Sequence, residues 1–440
     1  MQSSLLKVMK RKIIQVILNF LTHLIIRKYR PKIIGITGSV GKTSAKEAIY
    51  LILSRYFPTS KSEKNLNTEI GLPLPFISGV EAKRSLFLWL ANFLKGLKLI
   101  LFRDKNYPHF VIVEMGADKP GDIKKLVALA KPKLAVMTAI GKVPVHVENY
   151  KDGIDQLIDE KAEIIKNLGK DDFAILNFDD EKIWPLREKT RAKVISFGFN
   201  KGADLRITDY QIKVKEAGKG FVLPDGVFFR IEHRGSVVPV WLKDSLGKPS
   251  AYAIAVAFAV GAVFDLNIIE LGIAAAEFHQ EKGRMRLIEG IENSLILDDS
   301  YNAAPLAMEK ALETFQDLPG KRKIAVLGDM LELGQYAPEL HEEVGAKAAG
   351  FCDLMFFVGQ RMKFAYEKAV GVENGKDKSF WFENSKQVSA KLEPMIEPGD
   401  LILVKGSQGM RMEYVIEDVM AHPENAKDLL VRQAEEWSKQ

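Results

Sequence analysis

The run Ile33-Ile34-Gly35-Ile36-Thr37-Gly38-Ser39-Val40-Gly41-Lys42-Thr43-Ser44 constrains this chain more than any other stretch. Residues 32–37 read as a short buried strand, Gly38 and Gly41 as a turn, and Lys42 to Arg55 as a helix. Strand, glycine turn and helix in that order make a cradle for phosphate. Glycines let backbone N–H groups curl around phosphate oxygens, and the helix start adds partial positive charge. Lys42 can reach the outer phosphates and the Thr43 hydroxyl can ligate Mg²⁺. Thr37, Gly38, Ser39, Gly41, Lys42, Thr43 and Ser44 are therefore the candidate nucleotide-binding residues. The strict pattern G-x-x-x-x-G-K-[ST] wants glycine at position 36. That residue is Ile36, flanked by Gly35 and Gly38. A glycine-rich turn with a chance Gly-Lys-Thr is the alternative, and the strand–turn–helix context weighs against it.

The pattern around this loop alternates strand and helix. Strands are expected at Phe110–Glu114, Leu134–Ala139, Phe173–Asn177 and Val194–Gly198, with helices at Ile123–Ala130 and Gly153–Leu168. This predicts a parallel sheet covered by helices. Residues 203–246, rich in Val, Ile and Phe with Asp-Gly punctuation, suggest a small antiparallel insert. A second alternation begins near Gly283, with strands at Leu295–Asp298, Lys323–Leu327, Leu354–Val358, Ser379–Phe382 and Leu401–Lys405. The expected fold is α/β: a P-loop-type parallel-sheet central domain over 31–280, then a Rossmann-like doubly wound C-terminal domain over 283–440. The hinge is placed near His279–Arg284.

Two apolar stretches raise the membrane question. Ile13 to Ile26 is flanked by Lys7, Lys10, Arg11 and Lys12 before it and Arg27, Lys28 and Arg30 after it. It is too short to span a bilayer comfortably. Residues 1–30 and 86–102 read as basic amphipathic helices. Packing onto the protein's own body is the favoured reading, and peripheral contact with anionic lipid is the alternative. One cysteine, Cys352, excludes an internal disulfide framework and fits a reducing cytoplasm. A net charge of +6 over 440 residues gives no case for a nucleic-acid partner.

Glu114 ends a buried strand, where α/β proteins bind ligands, and a carboxylate there can hold Mg²⁺ against nucleotide phosphates. Taken alone, His146 reads as structural and Lys161 as a solvated lysine.

Further segments change that balance. In order, they are Asn65-Leu66-Asn67-Thr68-Glu69-Ile70-Gly71-Leu72-Pro73, Val113-Glu114-Met115-Gly116-Ala117, Asp298-Asp299-Ser300-Tyr301-Asn302-Ala303, Val326-Leu327-Gly328-Asp329-Met330-Leu331-Glu332-Leu333-Gly334 and Val404-Lys405-Gly406-Ser407. With the loop Thr37–Thr43, they resemble the Mur ligase family over residues 31 to about 420, and within it the branch that adds D-alanyl-D-alanine.

The resemblance implies an ATP-dependent ligase of cell-wall precursor synthesis, acting in the cytoplasm as a monomer on a muropeptide and D-alanyl-D-alanine. It implies two Mg²⁺ ions, held by Thr43, Glu114, His146 and a carbamylated Lys161. It also implies nucleotide contacts from Asn67, Arg284, Asp299 and Asn302, and catalytic roles for Lys42, His146 and Lys161. Lys405 and Ser407 would face the incoming amine.

Three departures accompany it. Gly141-Lys142-Val143-Pro144-Val145-His146 has two residues more than the family's Gly-x-Ala-His. The family's adenine-holding asparagines are replaced by Pro249-Ser250-Ala251-Tyr252-Ala253. Only about thirty residues precede the central domain, too few for the family's domain that holds the uridine diphosphate. The competing readings are a ligase with another, lipid-linked acceptor, a non-catalytic scaffold, and a GTPase. The last draws on Asp118-Lys119-Pro120-Gly121 and Asn200-Lys201-Gly202-Ala203-Asp204.

Overall fold

A computed structural model of the chain describes residues 2–63, 66–82, 85–216 and 222–433, with side chains of the first helix from Met9 onward. Asn65, in one of the family-like segments, and residues 434–440 lie outside the described residues. Helix α1 (Gln2–Tyr29) leads into β1 (Lys32–Thr37), α2 (Lys42–Leu53), β2 (Thr59–Lys61), α3 (Leu86–Leu101), β3 (Phe110–Glu114), α4 (Asp122–Leu129), β4 (Leu134–Met137), α5 (Gly153–Lys166), β5 (Phe173–Asn177) and β6 (Lys193–Gly198). The chain continues through β7 (Leu205–Glu216), β8 (Val222–His233), β9 (Ser236–Lys243), α6 (Lys248–Val263) and α7 (Ile268–Ala275).

These strands form one nine-stranded sheet in the order β2-β3-β1-β4-β5-β6-β7-β8-β9. Strands β2 to β6 pair in parallel with one another and with β1, and all but the short polar β2 are largely apolar runs because helices cover both faces. The expected insert at 203–246 is instead an extension of this sheet. Leu205 pairs in parallel with Phe197, and β7, β8 and β9 then run antiparallel. Helix α6 is apolar on every side and is buried accordingly.

A second sheet follows: β10 (Arg286–Glu289), β11 (Leu295–Asp299), β12 (Arg322–Gly328), β13 (Leu354–Val358), β14 (Ser379–Phe382) and β15 (Asp400–Lys405), with helices α8 (Pro305–Asp317), α9 (Ala337–Ala349) and α10 (Met362–Val370) among them. Its order is β10-β11-β15-β12-β13-β14, parallel except for β10. One apolar cluster runs from β1 and α2 through α6 into Phe315 and Leu327 of this second sheet's layer.

The first helix packs on α3 and on a 3-10 turn, Leu74–Ile77, burying Leu18, Leu21 and Ile25. It departs from a simple amphipathic helix, since Met9, Ile13, Val16 and Phe20 on its far side are apolar and exposed. Among the described residues, no helix is long and apolar enough to cross a membrane.

Candidate functional site

In the first sheet, β1 lies between β3 and β4, so the chain crosses over in opposite directions on its two sides. The carboxyl end of such a strand opens into a crevice. Residues 38–41 fill that place. Gly38 has φ +145°, and a Cβ there would meet Thr138 Oγ1 at 2.1 Å, so only glycine fits. The Thr138 hydroxyl lies 2.6 Å from the Val40 carbonyl and 3.2 Å from that of Thr37, and Ser39 N donates to Ala139 O at 2.6 Å. Gly41 (φ +85°) starts α2, whose first residue is Lys42. The Lys42 amine donates to Gly38 O at 2.7 Å. Its pKa is lowered by burial first and by Arg284 as well, while Glu114 and Asp118 oppose that shift.

Glu114 is 1% exposed at the end of β3. Its Oε1 accepts no hydrogen bond, and Lys46 Nζ lies 3.2 Å from it. Lys46 stands four residues after Lys42 on α2, on the same helical face. That spacing was readable, yet nothing in the sequence placed Glu114 beside it.

Lys161 projects from α5 toward the same turn, with Nζ 3.5 Å from Gly38 O. It is 4% exposed, and burial, then the neighbouring Lys42 cation, push its pKa down to about 7. His146 sits at φ 66° in the loop after β4, with Nε2 3.4 Å from both Asp118 Oδ1 and Glu332 Oε2. Its backbone N–H donates to Glu332 O at 3.3 Å, so this loop touches the second sheet's layer directly. Glu332 is itself at φ 64°. Two non-glycine residues in the left-handed region, facing each other across a boundary between layers, store about 1–3 kcal/mol each.

The second layer closes over the turn. Arg284 Nη2 donates to Thr43 Oγ1 at 3.1 Å, and its guanidinium lies 4.2 Å from the centre of the Tyr301 ring. Ser44 Oγ is 3.4 Å from Gln280 Oε1. Asp299 ends β11 directly across the ladder from Lys405, which ends β15. Lys405 Nζ donates to Asp299 Oδ2 at 2.6 Å and to Asn302 O at 3.0 Å. Burial raises the pKa of Asp299, and Lys405 pulls it back down. Ser407 Oγ bridges Ala303 O and Leu331 N.

Lys42, Glu114, His146, Lys161, Arg284 and Asp299 converge on one cleft of about 790 Å³ between the two sheets, whereas Ser407, Lys46 and Glu332 do not line it. Asn67, Thr43, Ser44, Asn302 and Lys405 line it too, as do Gly38, Ser39 and Gly41. Thr37, buried behind the turn, donates to Met115 O. The sequence reading missed Tyr252, Asp179 and Phe199, which line the same cleft. Tyr252 OH donates to Asp179 Oδ2 at 2.7 Å, and the Tyr252 ring stands edge-on to Phe199.

The GTPase reading loses its guanine-binding acid. Asp204 Oδ2 accepts from Ser196 N and Oγ, closing the connection between β6 and β7.

Comparison with known proteins leads the same way. Residues 91–238 match the Mur ligase middle domain, and residues 283–408 match the Mur ligase glutamate ligase domain. The chain is 31% identical to the UDP-N-acetylmuramoyl-tripeptide--D-alanyl-D-alanine ligase of Escherichia coli (strain K12), over 88% of this chain and 76% of that one. It is 28% identical to the enzyme of the same name from Rickettsia prowazekii (strain Madrid E), over 88% and 78%. The MurF ligase from Thermotoga maritima in complex with ADP superposes with a TM-score of 0.74 at 25% identity, over 92% of this chain and 83% of that one. With a cleft built from both matched domains and a relative above 30% identity over three quarters of its length, the chain belongs to the Mur ligase family.

Proposed function

We propose that the protein uses ATP to join D-alanyl-D-alanine to a UDP-N-acetylmuramoyl-tripeptide, through an acyl phosphate. The observation that carries this reading is the convergence of the 38–43 turn, Lys161, His146 and the Asp299–Lys405 pair on one cleft between two sheets. The acceptor carboxylate attacks the γ-phosphorus of ATP, breaking its bond to the β–γ bridging oxygen and releasing ADP. The dipeptide amine then attacks the acyl carbon, phosphate leaves, and the amine gives up a proton.

Phosphoryl transfer depends on positioning and charge neutralisation. Here the turn's N–H groups, Lys42 and Arg284 supply both around the phosphates. Asp299 and Asn302 contact the nucleotide from the second layer, with Asn67 on the other side. Tyr252 and Phe199 flank the base in place of the family's asparagines. Lys405 and Ser407 face the incoming amine. The regions 31–280 and 283–440 act as two domains that exclude water from the acyl phosphate when closed.

The donor set also fits two Mg²⁺ ions. The buried Glu114 Oε1 accepts no hydrogen bond, and Thr43 presents its hydroxyl at the start of α2. A lysine with a pKa near 7 holds much of its amine neutral, as reaction with CO₂ requires. Adding CO₂ to the Lys161 amine would form a carbamate and release a proton, giving two oxygen donors in the cleft that His146 also lines. Bound there, the ions neutralise phosphate charge. The protein acts in the cytoplasm as a monomer.

The test is phosphate release from ATP and Mg²⁺ with the named tripeptide and dipeptide, with the joined product identified by mass. Release that depends on both substrates supports the reading. Turnover that ignores the dipeptide, or none at all from a folded protein that binds ATP, overturns it.

A further inference from the structure

Helices α1 and α3 carry a feature that the ligase chemistry leaves unused. They lie side by side and in the same direction. Leu21 meets Gly96, and the Lys28 amine donates to the carbonyls of Leu99, Ile100 and Phe102. Both rest on the Leu74–Ile77 turn. Their inner faces are conventional: Leu18, Leu21 and Ile25 from one, Trp89, Asn92 and Gly96 from the other, all buried.

Their outer faces are apolar as well. On α1, Met9, Ile13, Val16 and Phe20 recur at steps of four, three and four, about 180° around the helix from the buried set. On α3, Phe87, Leu90, Leu94, Leu97 and Leu101 recur at steps of three and four, again opposite the buried set. Phe20 is 62% exposed and Phe87 78%. Both helices rest on the Leu74–Ile77 platform, and each turns its apolar stripe away from its buried set. Exposed apolar side chains in such number, on two neighbouring helices, mark an interaction site.

Charge identifies what the surface meets. Residues 1–32 and 83–103 hold thirteen of the chain's 63 basic residues and none of its 57 acidic ones. The rest of the chain therefore has 50 basic against 57 acidic residues and is net negative. Lys10, Arg11 and Lys12 lie exposed at one end of the α1 stripe, and Lys98 and Arg103 lie exposed along and beyond α3. An apolar face fringed by cations, on helices free of acids, matches the interface of an anionic bilayer, where acyl chains take the apolar side chains and headgroups take the lysines and arginines.

We infer that α1 and α3 together form a membrane-docking face that seats the protein on an anionic lipid surface without crossing it. The segment beneath them also enters the cleft. Leu66 and Ile70 pack against the platform, while Asn67 between them lines the nucleotide site.

The test uses the full chain sedimented with vesicles of phosphatidylglycerol or of phosphatidylcholine. The expected result is binding to phosphatidylglycerol, weakened at high salt and much weaker on phosphatidylcholine. The double variant Phe20→Glu/Leu94→Glu should lower the bound fraction at least tenfold while keeping its melting temperature and its ATP turnover on soluble substrates. Lys10→Gln/Arg11→Gln/Lys12→Gln should weaken binding and flatten its salt dependence. A wild-type chain that stays in the supernatant with phosphatidylglycerol at low salt overturns the inference. So does binding that the double variant leaves intact. A third overturning outcome is a stable dimer that ignores vesicles and falls apart in the double variant, since the face then belongs to a second copy.

Discussion

Lys161 and Lys405 are both buried lysines lining the same cleft, one from each layer, and they are treated in opposite ways. Lys405 ends a strand, and the register sets Asp299 directly beside it at 2.6 Å. Lys161 rides a helix, and its amine meets a carbonyl at 3.5 Å. Among the described residues no carboxylate lies within ion-pair distance of it. Asp118 and Glu160 act on it only from farther away, and Lys42 adds its repulsion to the cost of burial. Equal burial thus gives an ion pair in one layer and a half-neutral amine in the other. A buried lysine becomes chemically useful as an amine where the fold withholds a carboxylate, and structural as a cation where the fold supplies one.

Removing each amine should separate the two. Lys405→Met strands Asp299 as a buried carboxylate without its ionic partner, with the Met285 N–H at 3.2 Å as the donor that stays. The expected cost is about 3–5 kcal/mol of stability at neutral pH, read from denaturant unfolding. A loss below about 1 kcal/mol would mean that solvent or another cation already compensates Asp299.

Lys161→Met should do the reverse, costing activity and sparing the fold. Turnover is expected to fall about 10²–10³-fold, the scale of losing one preorganised charge-stabilising group. Stability should not drop, and its pH dependence should change. The folded amine releases its proton near 7 and the unfolded one near 10.5. Between those values the unfolded chain holds more protons, so wild-type stability climbs with pH. In the methionine variant that climb disappears. Activity at limiting CO₂ should also rise as pH passes upward through about 7, because the neutral amine is the species that reacts.

Asp298 tests the same principle with the sign inverted. It is fully buried beside Asp299, and burial raises its pKa to about 6, with Ser300 opposing the shift. Its folded pKa lies above its ordinary 3.8, so the folded chain holds the extra proton in between, and stability falls as pH climbs from about 4 to 6. Asp298→Asn removes that fall. It should gain on the order of 2–3 kcal/mol above pH 6, measured as the difference between unfolding curves at pH 4 and pH 7.

How much of this was legible in the sequence varied with the range of the interaction. The 38–43 turn could be read because glycine geometry and helix start are local. Most parallel strands of both sheets could be read because strands covered on two faces are plain apolar runs, while the antiparallel β10 (Arg286–Glu289) was not. Strand β2 is three residues long and has no periodicity to find. The attachment of β7 to β6 rests on the two ladder pairs Phe197↔Leu205 and Gly198↔Arg206, so hydropathy alone made residues 203–246 look separate. In the cleft, Lys42 and Glu114 could be singled out from the phosphate loop and the strand end, and His146 and Lys161 through family resemblance. The pairing of Glu114 with Lys46 spans 68 positions and emerges only from packing. The outward stripe of α1 was written in its spacing, but a helix apolar on two opposite sides defeats a one-sided amphipathic template.

Tyr252 gives the mildest test, because its carboxylate partner is better supplied than Asp299. Asp179 accepts from Tyr252 OH at 2.7 Å, from Phe199 N at 2.6 Å and from Asn200 N at 3.0 Å. Tyr252→Phe takes away one donor of three and leaves the backbone pair in place, while the ring keeps its edge-on contacts with Phe197 and Phe199. The expected cost is therefore about 1 kcal/mol, the net worth of an ordinary hydrogen bond. The shift in KM for ATP should stay below about tenfold, since 1.4 kcal/mol corresponds to a factor of ten. A loss as large as that of Lys405→Met would mean that Tyr252 is the donor that holds Asp179, and the contrast would fail between Asp299, which keeps one backbone donor when its lysine is lost, and Asp179, which keeps two.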